Sequence, residues 1–139
     1  MKQMLTLGAL CLLFLAAKCG DTPKEEKGFQ VGTPFSLVIQ EQIPCECAGP
    51  DVKFEGVTED SRCPKYTNCV WEGQAVVQLT LMGSTPETLE LTMQEGKPEL
   101  ASKEVGGYIY RLEAVNPYPE AGKKIVPADY SIRLVVETP

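Results

Sequence analysis

The sequence predicts an all-β protein built as a single antiparallel β-sandwich, and three observations carry that reading. Apolar residues recur with period two in successive short runs, Gly/Pro/Asn clusters separate those runs, and the spacing leaves no room for the crossover helices of a parallel sheet. In the first run Phe35, Leu37 and Ile39 alternate with Ser36, Val38 and Gln40, predicting a strand over 35–42. Val52 and Phe54 lead a second strand that ends near Thr58. Gln74 to Met82 puts Val77, Leu79 and Leu81 on one face, and Leu89, Leu91 and Met93 alternate with Glu90 and Thr92. Tyr108, Tyr110, Leu112 and Ala114 form the next face, with Arg111 and Glu113 turned outward, and Tyr130, Ile132, Leu134 and Val136 complete the series. Gly49-Pro50-Asp51, Gly83-Ser84-Thr85-Pro86, Gly106-Gly107 and Asn116-Pro117-Tyr118-Pro119 supply the turns. Only residues 98–105 carry a helix signal, with Pro98 in a first turn. Six or seven strands within residues 33–139 point to two packed sheets, for which an immunoglobulin-like arrangement is the commonest solution and a small closed barrel the alternative.

Upstream of the sandwich the chain divides into an export segment (1–18) and a flexible tether (19–32). Lys2 gives a short basic start, and residues 4–17 (MLTLGALCLLFLAA) form an uncharged apolar run. A run on the order of 14 residues suits a signal-peptide core, whereas spanning a bilayer takes about 20. Its end, Leu15-Ala16-Ala17-Lys18-Cys19-Gly20, resembles the lipobox of bacterial lipoproteins. The resemblance implies cleavage before Cys19, lipidation of its sulfur by a diacylglyceryl group, and acylation of the new amino group, so that palmitate-type chains hold the protein to a membrane. Lys18 departs from the Gly, Ala or Ser usual before that cysteine, and ordinary cleavage after Ala17 is the competing reading. The tether is polar and charged. Its Lys24-Glu25-Glu26 resembles the short signal that sends some Bacteroidota lipoproteins to the cell surface, and a solvated linker explains the same residues. The expected location is the cell envelope, as an outer-membrane lipoprotein facing the periplasm or the cell surface.

Cysteine parity supports the anchor. Of 6 cysteines, Cys11 leaves with the signal, and five remain. A thioether at Cys19 leaves Cys45, Cys47, Cys63 and Cys69, an even set for an oxidising compartment. If 35–42 and 52–58 are consecutive antiparallel strands, Cys45 and Cys47 lie at one end and Cys63 and Cys69 at the other. A strand of about 6 residues separates those ends by roughly 20 Å, and a disulfide tolerates about 7 Å between Cα atoms. Pairing is therefore expected within each loop, Cys63–Cys69 and Cys45–Cys47. The same separation argues against one zinc site ligated by all four thiolates. The Cys45-Glu46-Cys47 ring needs a turn, which Pro44 and Gly49-Pro50 make available. A redox or soft-metal role for this pair stands beside its reading as a loop staple, and no nearby basic residue lowers a thiol pKa.

Composition excludes whole classes of chemistry. The chain has no histidine, which removes Ser-His-Asp and Cys-His catalysis and His-ligated metal sites. Removing Lys2 and Lys18 leaves 11 basic against 19 acidic residues, a net charge of −8. Such a surface repels nucleic acid and anionic headgroups, so no nucleic-acid partner is expected. No Asp-x-Asp-x-Asp-Gly loop is present, the carboxylates Glu59, Asp60 and Glu72 read as chance clustering, and neither a metal, a cofactor nor an enzymatic activity is expected.

The most distinctive segment runs from Glu59 to Gly73. Its Asp60-Ser61-Arg62-Cys63-Pro64, short loop and Cys69-Val70-Trp71-Glu72-Gly73, with Pro117-Tyr118-Pro119 further on, resemble a group of small bacterial lipoproteins and secreted proteins without an assigned activity, Bacteroidota-like in their export signals. The resemblance covers most of residues 33–139 and implies export and a β-fold. Asp60, Arg62, Lys65, Tyr66, Trp71 and Glu72 form the candidate binding loop. Within it Asp60 and Arg62 suit an ion pair or a loop cap, a ligand contact by Arg62 being the alternative, and Trp71 is expected to pack over the disulfide in the core. Tyr108 and Tyr110, same-face neighbours, are expected to be partly buried. The leading expectation is a non-catalytic binding or structural domain acting through its loops on an unknown protein or envelope component. A secreted proteinase inhibitor presenting the 63–69 loop, with Lys65 and Tyr66 at its tip, is the alternative.

Overall fold

The computed structural model describes residues 27–139; the expected export segment, Cys19 and most of the expected tether lie outside the described residues. Eight strands form two antiparallel sheets of four. They are β1 (Phe35–Val38), β2 (Gln42–Ile43), β3 (Asp51–Asp60), β4 (Ala75–Met82), β5 (Glu87–Met93), β6 (Ser102–Val105), β7 (Tyr108–Asn116) and β8 (Ser131–Glu137). One sheet has the order β1-β8-β7-β6 and the other β2-β3-β4-β5. The inward faces are those the alternation predicts: Ala75, Val77, Leu79 and Leu81 on β4, Leu89 and Leu91 on β5, Ile132, Leu134 and Val136 on β8 are all buried.

The β-sandwich is therefore present, and its connectivity is two meanders. Hydrogen-bonded neighbours are consecutive strands except where β1 joins β8, and among the described residues the chain changes sheets only from β1 to β2 and from β5 to β6. The interleaved Greek-key order of an immunoglobulin domain is not the order of these strands. Gly106 and Gly107 both take positive φ, 61° and 81°, in the two-residue turn that joins β6 to β7 as a hairpin.

Four local expectations change. Residues 35–42 are not one strand: β1 ends at Val38, Gln40 takes φ 62°, and β2 starts at Gln42 in the opposite sheet. The Gln40 N–H donates to the Phe54 carbonyl at 2.8 Å, and the Phe54 N–H donates to the Glu41 carbonyl at 3.0 Å, carrying the chain onto β3. Period two reports which side faces the core and is blind to which of two sheets a residue joins. Residues 98–105 are not a helix; a single 3-10 turn, Pro98–Ala101, leads into β6, whose pairing with β7 satisfies backbone groups that a short helix would leave open. On β7 a bulge at Glu113, between Leu112↔Leu134 and Ala114↔Arg133, moves the buried face from Ala114 to Val115. Bulges at Glu55 and Thr58 likewise let β3 run on to Asp60 instead of ending at Thr58.

The sandwich also begins before Thr33. Phe29 is buried and stacks on Phe35 with ring centroids 4.4 Å apart. Its N–H donates to the Pro44 carbonyl at 2.9 Å, and its carbonyl accepts the Glu46 N–H at 2.9 Å. One aromatic ring among polar residues is a weak periodic signal, yet it closes the open end of the core beside Cys45. Phe29→Ala should lower the unfolding free energy by about 3 kcal/mol in urea titration, as for other large core truncations. An unchanged midpoint would return residues 27–32 to the tether.

Candidate functional site

The 61–74 connection between β3 and β4 is built on a buried ion pair. Arg62 is 7% exposed. Its Nε donates to Asp60 Oδ1 at 2.8 Å and its Nη2 to Asp60 Oδ2 at 2.7 Å, a two-pronged grip. Nη1 donates to the Val115 carbonyl at 2.8 Å and Nη2 to the Pro117 carbonyl at 3.1 Å. Tyr130 donates its hydroxyl to Asp60 Oδ2 at 2.9 Å, and the Tyr118 ring lies over the guanidinium, 5.0 Å from Cζ to centroid. Strand β3, the end of β7 and the start of β8 are thus tied at one point. With four hydrogen bonds made from five N–H groups, Arg62 is a structural cation here and not a free ligand contact.

Electrostatics follow from that geometry. Burial by itself would raise the Asp60 carboxyl, but hydrogen bonds from Arg62 and Tyr130 and the guanidinium charge outweigh it, and Asp60 titrates below the usual aspartate range. Tyr130 is pushed up to about 12 by burial, by its hydrogen bond to Asp60 and by that carboxylate's charge.

Above this base the loop closes on itself. The Ser61 N–H donates to the Gln74 carbonyl at 2.8 Å and the Cys63 N–H to the Glu72 carbonyl at 3.0 Å, continuing the β3–β4 ladder. Gly73 takes φ +68°, and a Cβ there would collide with the Ser61 carbonyl, so only glycine lets the two arms approach. Cys63 and Cys69 are disulfide-bonded with Cα atoms 5.9 Å apart. The Lys65 N–H donates to the Pro119 carbonyl at 2.9 Å, docking the loop on the β7–β8 connection, and Lys65 Nζ lies 5.7 Å from the Tyr118 centroid. Pro64 to Thr67 make a tight turn, with the Thr67 N–H on the Pro64 carbonyl and Tyr66 at φ 66°.

The outer surface of this loop carries three large apolar side chains among the exposed polar residues Lys65, Thr67, Asn68 and Glu72. Tyr66 is 94% exposed, Trp71 58%, and Val70 fully. Trp71 does not pack over the disulfide as expected. The bonds at Ser61 and Cys63 draw Gly73 inward and leave Cys69 to Glu72 bowed into solvent, while the core beneath is already filled by Ala75, Tyr130 and Val115. Glu72 is also exposed. Glu59 Oε1 accepts from Ser61 Oγ at 3.1 Å and from Gln74 Nε2 at 3.2 Å, and among the described residues no group of three Cys, Asp or Glu side chains is placed to hold a metal ion. A cleft of about 310 Å³ is lined by Arg62, Glu72, Met93, Glu95, Val115 and Tyr118; it adjoins the loop at Glu72, and Trp71 does not line it.

At the other end of the sandwich Cys45 and Cys47 are bonded, with Cα atoms 5.0 Å apart. Both pairings are therefore within loops, as the strand directions required. The Cys45 N–H donates to Asp51 Oδ1 at 3.2 Å and the Gly49 N–H reaches Cys47 Sγ at 3.3 Å, which knits the turn into a local staple. Tyr108 is half-buried against this turn and Tyr110 is fully buried.

Two parts of the site escape sequence reading. Val70 stands out only once the loop is seen in space, and Tyr130 meets Asp60 across a separation of 70 residues. Comparison with family models, with curated proteins and with solved structures finds no match to this chain.

Breaking a buried ion pair leaves one charge without compensation and costs about 3–5 kcal/mol. Arg62→Ala should therefore lower stability by that amount in urea unfolding, while Tyr66→Ala and Trp71→Ala, both at exposed positions, should change it by under about 0.5 kcal/mol. Because the folded pKa of Asp60 is depressed, its contribution is present at neutral pH and is lost as pH falls below the ordinary aspartate value of about 4. Asp60→Asn should flatten that acid limb of the stability profile; an unchanged limb would mean other carboxylates carry it.

Proposed function

We propose that this chain is a lipid-anchored cell-envelope protein whose β-sandwich is a non-catalytic binding or structural module acting through the 61–74 loop. One observation carries the reading: Tyr66, Val70 and Trp71 are held in solvent on a loop closed by a disulfide and seated on a buried ion pair. Exposing large apolar side chains on a rigid base forgoes burial worth roughly 1.5–3 kcal/mol each, and a soluble domain gains from that only if a partner buries them. Binding residues on a loop fixed by a rigid scaffold is the usual division of labour in such folds. Aromatic side chains are also the common anchors of protein interfaces.

The envelope location and outer-membrane anchor rest on the sequence, through the apolar run at 4–17, Cys19 and the even set of remaining cysteines, all four of which are paired. Labelling cells with an alkyne-tagged fatty acid should tag the protein, and Cys19→Ser should abolish the tag and move the protein from the membrane fraction to the soluble one. A tag that survives the substitution rejects the anchor.

The proteinase-inhibitor alternative is less well supported by the loop's shape. A protease cleft takes its target as an extended strand, whereas 64–67 is a tight turn with Tyr66 at positive φ and the Lys65 N–H already engaged. The described domain should therefore leave trypsin-like and chymotrypsin-like proteases uninhibited at micromolar concentration. Inhibition abolished by Lys65→Ala or Tyr66→Ala would reinstate the alternative.

A further inference from the structure

We infer that the tip formed by Tyr66, Val70 and Trp71 docks onto a protein, in an apolar recess rimmed by basic side chains, on the side of the domain away from its lipid anchor; the inference rests on the anchored reading above. Three observations lead there. The first is position. The chain joins the sandwich at Phe29, beside the Cys45–Cys47 loop where β3 begins, and the tip follows the far end of β3, ten residues or about 30 Å further on. A tether that joins the domain at Phe29 leaves the tip at the end of the sandwich farthest from the point of attachment.

The second observation is charge. The mature chain carries −8, so anionic headgroups repel it and basic protein surfaces attract it. The third is the local pattern around the tip. The cleft that adjoins the loop at Glu72 is lined by Glu72, Glu95 and Glu113, the last paired with Arg133, together with the apolar Met93 and Val115. Arg62, which also lines it, is neutralised by Asp60, the exposed Lys65 lies over the Tyr118 ring, and among the described residues neither Glu72 nor Glu95 takes part in an ion pair. A cationic side chain of the partner can lay its methylene stem on Met93 and Val115 and meet the two carboxylates, while Trp71 and Val70 enter the recess. An apolar centre flanked by charge is the arrangement that gives an interface both its burial and its register.

Trp71 is the only tryptophan, so its fluorescence reports the tip alone. The full-length lipidated protein, reconstituted in phosphatidylethanolamine/phosphatidylglycerol vesicles with brominated acyl chains, should keep its emission, and added acrylamide should quench it strongly. Quenching by the brominated chains would make the bilayer the occupant and overturn the inference. Sedimentation of the soluble domain should give a monomer; a dimer lost in Trp71→Ala would make a second copy the occupant. In intact cells a benzoylphenylalanine photo-crosslinker at position 70 should give a discrete protein adduct, and one at Ser84, at the opposite end, should not. That adduct should fall at least tenfold as salt rises from 0.05 to 0.5 M and in the Glu72→Gln, Glu95→Gln double variant, with thermal unfolding unchanged. No adduct, or one indifferent to salt and to both substitutions, overturns the basic-rimmed partner. Loss of acylation in the Cys19 test would instead strike the anchored reading, and the adduct's charge dependence would still judge the partner.

Discussion

The two-pronged pairing of Asp60 with Arg62 is the constraint on which the functional end of this domain depends. It stands where three chain segments meet: the last residue of β3, the end of β7 and the start of β8. A buried guanidinium is costly unless its N–H groups find acceptors, and here a carboxylate and two backbone carbonyls accept four hydrogen bonds from it. Those carbonyls belong to the strand end and turn that also receive the 61–74 loop through Lys65 and Pro119. The pair therefore positions the loop against its neighbour as well as bridging the two sheets. An apolar pair of like volume could fill the same space, but it would not specify the angle at which the loop leaves β3.

That division separates the two halves of the loop. Its base is polar, buried and satisfied; its rim is exposed and carries Tyr66, Val70 and Trp71 among polar residues. The disulfide between Cys63 and Cys69 lies at the boundary, closing a small ring whose stabilisation in a chain-entropy account is about 2–3 kcal/mol. Rigidity of this kind lowers the entropy a loop surrenders when it binds. In the proposed reading this is why the exposed side chains are tolerated in solvent: Tyr66 stands on the ring and Val70 and Trp71 directly follow its closing cysteine, in the segment that Gly73 ties back to β3. The opposite end is organised differently. The Cys45–Cys47 turn is bonded to Asp51, closed against Tyr108 and adjoined by Phe29, so it behaves as a seal on the core where the chain joins the sandwich.

Much of the fold was legible in the sequence because alternation depends on local geometry. Successive side chains on a strand point to opposite faces, so Val77-Leu79-Leu81 and Ile132-Leu134-Val136 announce an inner face whatever their neighbours are. The disulfide pairing was legible for a related reason: once the strands before and after Cys45 and Cys47 are taken as antiparallel, the two cysteine pairs lie at opposite ends and have one feasible bridging. The readings that changed all involve a choice between partners. Residues 35–42 have a continuous pattern and two sheets to join, the Glu113 bulge moves the inner face by one residue, and β1 takes β8, at the far end of the chain, as its neighbour. In the site, Asp60 and Arg62 were readable as a pair because they lie two residues apart, whereas Tyr130 and Tyr118 reach them from more than fifty residues away.

By itself, then, the sequence determined the all-β architecture, the inner faces, the within-loop disulfides and the absence of histidine chemistry, since each follows from spacing or composition. Tertiary structure alone decided that Trp71 faces solvent, that Arg62 is spent on the fold, and that the loop stands at the end of the sandwich away from Phe29. Exposure is the outcome of a competition for core volume, and which side chain loses it depends on every strand that fills the core.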